Sequence, residues 1–216
     1  ATAKKTAHPS STLILLVRHG QTPTTGKLLP GRAAGLHLAE AGVSQAHAVA
    51  ERIAELPRVD AIYASPLERA RETAAPIAKA LKQRVKINKG LLECDFGDWT
   101  GAELSKLMKL PEWNTVQRAP STFRFPNGES FTEMQTRMVS ALDAIRAEHP
   151  GQVVVCVSHA DPIKAAVAHA MGTHLDLFQR IVIGTCSVSA IAYSSFGPTV
   201  LTVNSTGGSL ADLRPS

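Results

Sequence analysis

The sequence predicts an α/β fold, specifically a three-layer α/β/α sandwich with a mostly parallel central sheet. Two runs, residues 13–17 and 153–157, are apolar throughout and rich in branched side chains. Strands buried on both faces have this pattern, because helices cover both sides of a parallel sheet. Segments with helical spacing of apolar residues alternate with the predicted strands, which is the element order of an α/β protein.

A length of 216 residues and an apolar content of 44% indicate one domain with a complete hydrophobic core. We expect this domain at residues 12–203, with flexible tails at residues 1–11 and 204–216. The basic start has no apolar stretch, and no run approaches the roughly 18 residues of a membrane span. Three widely spaced cysteines indicate a reducing compartment. Together these features predict a cytoplasmic protein without membrane contact.

The net charge of +5 suits an anionic partner. Nucleic acid is not the expected one, because aromatic residues make up only 5% of the chain and the only dense basic run, at residues 82–89, resembles a helix end with its loop. We therefore expect a small anionic molecule as the partner. An exposed sheet edge would also allow a homodimer, although no sequence motif indicates one.

The first half of the chain predicts strands and helices in alternation. Residues 23–38 are rich in Gly, Pro and Thr and should form a loop over the end of the first strand. Residues 41–56 have helical spacing, and residues 61–64 predict a short strand. Ser65-Pro66 supplies a cap and a first-turn proline, which predicts that a helix starts there. Residues 85–92 predict another strand.

The second half begins with an irregular segment, residues 94–128, which we interpret as an insertion that forms a lid or substrate wall. The segment Ser130-Phe131-Thr132-Glu133 fits a capping box, and the helix it opens should end at Pro150-Gly151. After the second buried strand, Asp161-Pro162 is expected to cap another helix. Two late strands complete the predicted core, at residues 181–183 and 188–193.

Three strand endings carry the same pattern, in which a buried strand is followed by polar residues and then a loop or helix. They are Val17-Arg18-His19, Ala64-Ser65-Pro66-Leu67-Glu68-Arg69 and Val157-Ser158-His159-Ala160-Asp161. Parallel strands place such endings at one edge of the sheet, and helix N-termini there favour an anion. Arg69 can reach back to this edge, because helical side chains lean toward the N-terminus. Two imidazoles and two guanidiniums would then surround a phosphate or a similar dianion.

A histidine with one unprotonated ring nitrogen can attack phosphorus. Flanking arginines should lower its pKa, a backbone carbonyl should fix its tautomer, and Gly20 should let an anion approach the backbone. The leaving alkoxide needs a proton from a carboxylic acid, for which Glu93, Asp95 and Asp98 are candidates. Chemistry does not choose among these three, and helical periodicity does not prefer Arg69 over Arg71.

Four segments resemble motifs of the histidine phosphatase (phosphoglycerate mutase-like) superfamily, in the order of that family. They are Val17-Arg18-His19-Gly20-Gln21-Thr22, Ser65-Pro66-Leu67-Glu68-Arg69-Ala70-Arg71-Glu72-Thr73-Ala74, residues 93–101 and Val157-Ser158-His159. The resemblance implies that His19 is the nucleophile and that Glu93 is the proton donor. It also implies that Arg18, Arg69 and His159 bind the phosphoryl group. Thr22 and the Ala160 backbone N–H are further candidates for phosphate contacts. No cofactor and no metal ion are implied.

The chain departs from the family pattern at two places. Thr25 stands where family members often have Asn, and Ala160-Asp161 replaces the usual Gly-Gly. These changes bear on substrate contacts, and specificity should reside in residues 94–128 and near Gly31-Arg32.

The compact segment at residues 104–127 and the run Phe96-Gly97-Asp98-Trp99-Thr100-Gly101 favour the small-molecule phosphatase branch. The expected substrate is a small phosphorylated metabolite, and inorganic phosphate would be a product. Two alternatives stay open: a phosphoglycerate mutase-type phosphotransferase with the same phosphohistidine, and a non-catalytic module that binds a phosphorylated ligand.

Overall fold

A central six-stranded sheet organises the part of the chain that the structure, a computed structural model, describes, which is residues 11–207. The strand order is β3-β2-β4-β1-β5-β6. The strands are β1 (Thr12–Arg18), β2 (Ala61–Ala64), β3 (Val85–Ile87), β4 (Val153–Ser158), β5 (Val188–Ser194) and β6 (Gly197–Ser205). The four strands from β3 to β1 are parallel, whereas β5 and β6 are antiparallel to their neighbours.

Helices cover both faces of the sheet, which confirms the predicted α/β sandwich. The α-helices are α1 (Glu40–Ala54), α2 (Glu68–Leu81), α3 (Leu104–Leu107), α4 (Pro111–Arg118), α5 (Phe131–Glu148) and α6 (Ala160–Ala170). Alternate residues of β1 explain the two layers: Leu13, Leu15 and Val17 pack with α1 and α2, whereas Ile14 and Leu16 pack with α5 and α6. Leu15 and Ile14 are both fully buried, as the unbroken apolar run predicts.

The capping box at α5 is confirmed, because the Ser130 side chain accepts from the Glu133 backbone and the Glu133 side chain accepts from the Ser130 backbone. Two other predicted caps are wrong. Leu67, not Ser65, is the N-cap of α2, and His159, not Asp161, is the N-cap of α6. Asp161 lies in the first turn of α6, where its negative charge still complements the helix dipole.

Strand predictions near the chain's later part need two corrections. Residues 181–183 form no strand: a 3₁₀-helix, Leu175–Arg180, precedes them, and β5 begins only at Val188. Besides β1, β5 pairs with β6, which follows a tight connection, so β5 and β6 form a hairpin. The predicted C-terminal tail from residue 204 starts too early, because Asn204 and Ser205 belong to β6.

Other boundaries shift modestly. The strand predicted at residues 85–92 ends at Ile87 and is followed by a 3₁₀-helix, Lys89–Leu91. Residues 1–10 and 208–216, on which most of the two predicted tails fall, lie outside the described residues.

The predicted insertion is short helices and turns built around an aromatic cluster. Its α3 and α4 follow a 3₁₀-helix, Gly97–Trp99. Phe96, Phe125 and Trp99 pack in a core cluster of their own, which also includes Phe131 of α5 and Phe178. The aromatic cluster therefore fixes the insertion to the body of the fold. No helix within residues 11–207 has the length and apolar character to cross a bilayer.

Candidate active site

The ends of three adjacent parallel strands meet at one edge of the sheet, as the sequence predicts. β4 lies between β1 and β2, and the His19 backbone donates to the Ser158 carbonyl over 3.0 Å. The His19 and His159 rings are 5.1 Å apart between centroids, in an edge-to-face arrangement. Residues 140 positions apart in the sequence are thus neighbours because β1 and β4 run side by side.

The His19 ring is buried and oriented by two contacts. Its Nδ1 lies 2.7 Å from the Gly20 carbonyl oxygen, which favours the tautomer with the proton on Nδ1. The Nε2 lone pair is then free to accept, and Arg69 Nε donates to it over 3.3 Å. Burial, Arg69 and Arg18 together lower the pKa of His19 to about 3, so the ring is neutral near neutral pH.

Gly20 has a different reason to be glycine from the predicted one. A Cβ there would lie 2.5 Å from the Gly42 carbonyl oxygen, so its absence lets the start of α1 pack against the loop after β1. The Gly20 N–H donates to Thr73 Oγ1 over 3.0 Å and is not available to an anion. The expectation that Gly20 lets an anion approach the backbone is therefore wrong.

Two guanidinium groups, those of half-buried Arg18 and fully buried Arg69, are only partly paired by the protein. Arg18 donates from Nη1 to the Ile183 carbonyl over 2.7 Å, and Arg69 donates from Nη2 to the Gly31 carbonyl over 2.7 Å. Arg18 Nε and Arg69 Nη1 are buried without a hydrogen-bond partner. Unpaired buried donors are costly, so two of them beside His19 indicate a place for an oxyanion.

His159 adds a third incompletely paired group. Its Nε2 lies 2.8 Å from Ser65 Oγ, while its Nδ1 is buried without a partner. Burial and the positive charge of Arg69 hold the pKa of His159 well below its usual range. The ring is thus neutral near neutral pH.

Glu93 is the candidate carboxylic acid that lines the cavity beside His19. Its side chain is buried, and Oε1 accepts from the Cys94 N–H over 2.9 Å. Burial and the nearby Asp161 raise the pKa of Glu93 to about 7. Asp95 and Asp98 face elsewhere: Asp95 accepts from the Gly97 N–H, and Asp98 accepts from the Asn127 amide.

Two arginines hold the backbone of Glu93. Arg32 donates from Nε to the Glu93 carbonyl over 2.9 Å and forms an ion pair with Glu129. Arg137 of α5 donates to the Gly90, Leu92 and Glu93 carbonyls and pairs through two nitrogens with Glu129. A bidentate ion pair of this kind is geometrically specific. The segment that carries Glu93 is thus fixed from both sides.

A cavity of about 410 Å³ opens beside these groups, and its lining includes Arg18, His19, Glu93, Thr22 and Ala160. Thr22 Oγ1 lies 3.0 Å from Thr25 Oγ1. Arg69 and His159 are fully buried and lie against His19, which lines the cavity.

A groove of about 700 Å³ lies beside α2, and none of the predicted site residues lines it. Arg71 lines this groove, whereas Arg69 contacts His19. The groove is larger than the cavity beside His19, but it holds none of the histidines and arginines that suit a phosphoryl group apart from Arg71 and His37, so we assign the site by its chemistry.

Several residues that shape the site were not identified from the sequence. Ser65 was interpreted as a helix cap but orients His159, and Arg137 carries no local pattern at all. The Gly31 and Ile183 carbonyls that hold the arginines are backbone groups, which no residue type reveals. Lys164 and Gln179, which also line the cavity, carry no pattern that identifies them from the sequence. Within residues 11–207, no three His, Cys, Asp or Glu side chains are grouped as ligands of a metal ion.

At the strand ends of this sheet, an Arg-His-Gly motif lies beside a second histidine and a buried arginine. This combination is characteristic of one class of protein. The profile of the histidine phosphatase superfamily (branch 1) matches residues 14–206, and the chain belongs to this superfamily.

Known relatives and solved structures agree with this assignment. The chain is 32% identical over 203 residues to the bifunctional protein Rv2228c of Mycobacterium tuberculosis, covering 93% of this chain and 56% of that protein. It is 31% identical over 198 residues to phosphoserine phosphatase 1 of Hydrogenobacter thermophilus, covering 89% of this chain and 92% of that one. The chain thus spans little more than half of the first of these relatives.

The fold is also similar to that of a phosphoserine phosphatase variant from Entamoeba histolytica, whose structure contains phosphoserine. The TM-score is 0.82 at 25% identity, with 90% of this chain and 98% of the other covered.

Proposed function

We propose that the protein is a phosphatase that hydrolyses a small phosphate monoester through a phosphohistidine on His19. The observation that carries this proposal is the set of buried, unpartnered nitrogens around His19: the donors Arg18 Nε and Arg69 Nη1, and His159 Nδ1, which is a third donor when Nε2 accepts from Ser65 Oγ. These groups suit the oxygens of a phosphoryl group, and they suit the added charge of its transition state still better. Thr22 and the Ala160 N–H are proposed to add contacts from the cavity wall.

In the first step His19 Nε2 attacks phosphorus, and the bond from phosphorus to the ester oxygen breaks. Glu93 gives its proton to the departing oxygen, which leaves as an alcohol. In the second step a water molecule attacks the phosphorus of phospho-His19 while Glu93 takes its proton. The nitrogen–phosphorus bond breaks, inorganic phosphate leaves, and both side chains regain their starting states.

The raised pKa of Glu93 supports its assignment as the proton donor, because a carboxylic acid must hold its proton near neutral pH to donate it. The low pKa of His19 supports the nucleophile assignment, because the ring must be unprotonated at Nε2 to attack. No step of this mechanism requires a metal ion, so we expect turnover in the presence of a chelator.

The proposal is tested by following ³²P from a labelled monoester to the protein and then to product. We expect acid-labile, alkali-stable label on the wild-type protein during turnover, released as inorganic phosphate. His19→Gln should lose the label and reduce kcat by about three orders of magnitude or more. His47→Gln is the matched control, because His47 is exposed on α1.

Transfer of the label to a second alcohol rather than to water would identify the phosphotransferase alternative. Binding of phosphate esters without label on the protein and without product would identify the non-catalytic alternative. Full activity in His19→Gln would overturn the proposal.

A further inference from the structure

The lining of the cavity combines catalytic, polar and apolar groups. Arg18, His19 and Glu93 share it with the polar side chains of Thr25, Gln117 and Gln179 and with apolar side chains from three segments. We call these side chains the apolar wall: Leu29 of the loop after β1, Leu104 and Trp113 of the insertion, and Ile181 and Val182 of the loop before β5. The group attached to the phosphate would lie against this wall.

Two members of the apolar wall have features that suit an apolar ligand. Val182 is 69% exposed, although a valine gains stability from burial, so the fold itself does not use this side chain. The Trp113 indole is stacked on Trp99, with ring centroids 6.3 Å apart and planes at 22°, which holds it in place. A fixed indole at a cavity surface offers a flat partner for another ring.

The positive charge of Lys164, which lines the cavity, is already neutralised. Lys164 Nζ lies 3.2 Å from Asp161 Oδ1 and 3.1 Å from Gln179 Oε1, and both side chains of the ion pair are more than four-fifths buried. Among the described residues that line the cavity, the other Lys or Arg is Arg18, which belongs to the proposed phosphate site. A carboxylate on the group attached to the phosphate would therefore have to displace Asp161 from Lys164 or remain unpaired.

From these observations we infer that the physiological substrate is the phosphate monoester of an uncharged, ring-bearing alcohol, and that carboxylated phosphate esters are poor substrates. This inference rests on the proposed phosphatase function. It assigns selectivity to two features of this chain: the apolar wall accepts the ring, and Asp161 prevents Lys164 from accepting a carboxylate.

Benzyl phosphate and 2-phosphoglycolate test the inference as a matched pair, because a phenyl ring in one replaces a carboxylate in the other on the same carbon. We expect wild-type kcat/KM to be higher for benzyl phosphate by about tenfold or more. Asp161→Asn should free Lys164 to bind the carboxylate of 2-phosphoglycolate and so reduce the ratio of the two kcat/KM values. Any effect of the substitution that is common to both substrates cancels in this ratio. Equal or better hydrolysis of 2-phosphoglycolate by the wild type, or an unchanged ratio in Asp161→Asn, would overturn the inference.

Trp113→Leu tests the apolar wall separately. It should raise KM for benzyl phosphate about fivefold or more and change that for 2-phosphoglycolate little. Phe196→Leu is the control, because Phe196 is 95% exposed in the turn between β5 and β6. Equal KM changes for both substrates in Trp113→Leu would contradict a role of the indole in ring binding.

Calorimetric binding of benzylphosphonate and phosphonoacetate, the same pair without a cleavable ester bond, separates this inference from the proposed function. Tighter binding of benzylphosphonate together with no turnover of any ester would refute the phosphatase function and leave the binding preference intact. Tighter binding of phosphonoacetate would refute the preference even if turnover is observed.

Discussion

At the scale of single residues, burial changes the pKa of His19 and Glu93 in opposite directions. An apolar environment disfavours whichever form is charged, so the pKa of His19 falls to about 3 and that of Glu93 rises to about 7. Both groups are therefore neutral over the same pH range. A neutral imidazole and a neutral carboxylic acid are the forms that the proposed first step needs.

Glu93→Gln should make the protein more stable at alkaline pH. Since the folded-state pKa of Glu93 is raised from 4.5 to about 7, its contribution to stability is fully present below pH 4.5 and is lost as pH rises through 7. We expect the variant to gain up to about 3 kcal/mol relative to wild type between these values and then to level off. Chemical denaturation at pH 5 and pH 8 measures this gain.

A control variant and one contradicting outcome complete the test of the raised pKa of Glu93. Glu40→Gln, at an exposed position in α1, should show no comparable growth of stability with pH. A Glu93→Gln variant whose stability relative to wild type does not change between pH 5 and pH 8 would refute the raised pKa.

At the scale of elements, α5 acts on the site through one side chain. Arg137 reaches from the helix to three carbonyls between Gly90 and Glu93, so the packing of α5 fixes the backbone that carries the proposed acid. The capping box fixes the start of the same helix. A long helix can thus position a short irregular segment that has no regular hydrogen bonding of its own.

Arg137→Lys should lower kcat about tenfold with little change in KM, because lysine lacks the planar fork that bridges Glu129 and the carbonyls. Greater solvent access to Glu93 should lower its pKa toward 4.5, so the alkaline limb of kcat/KM should move to lower pH. A pH–rate profile measures both effects. Arg146→Lys is the control, because Arg146 lies on the same helix but is exposed and pairs with Asp143. If the alkaline limb of kcat/KM does not move in Arg137→Lys, Arg137 has no positioning role.

At the scale of the whole molecule, three buried clusters form the core, two on the faces of the sheet and one under the insertion. The third is the richest of the three in aromatic residues. Phe131 lies within 5.1 Å of both Phe125 and Phe178, measured between ring centroids, and it joins the insertion to α5. The wall of the cavity therefore depends on packing outside the sheet.

Phe131→Ala should reduce the free energy of unfolding by about 3 to 5 kcal/mol, because a fully surrounded ring leaves a cavity that the cluster cannot fill. Phe196→Ala, at an exposed turn, should change it by less than about 0.5 kcal/mol. Urea denaturation measures both. Similar small losses for the two variants would show that the aromatic cluster does not support the fold.

Local patterns in the sequence were sufficient for the fold class and for most elements. The apolar runs of β1 and β4 and the capping box of α5 are encoded in consecutive residues. Prediction was wrong where a local pattern had two outcomes, as at residues 181–183 and at Ser65. A short apolar run fits a strand or a loop against the core equally well, and a serine before a helix can cap it or contact a distant side chain.

The sequence by itself determined the sandwich, the edge of the sheet where the polar strand ends meet, and the presence of Arg18, His19 and His159 there. The family motifs, but not residue type or periodicity, pointed to Arg69 and Glu93. Only the tertiary structure decided that Arg69 and not Arg71 contacts His19, that Glu93 and not Asp95 lines the cavity, and that Gly20 makes room for α1. The physical reason is that periodicity encodes local conformation and the buried face of each element. Contacts between residues far apart in the chain arise only when those elements pack, because packing sets the distances and the burial that pair their side chains.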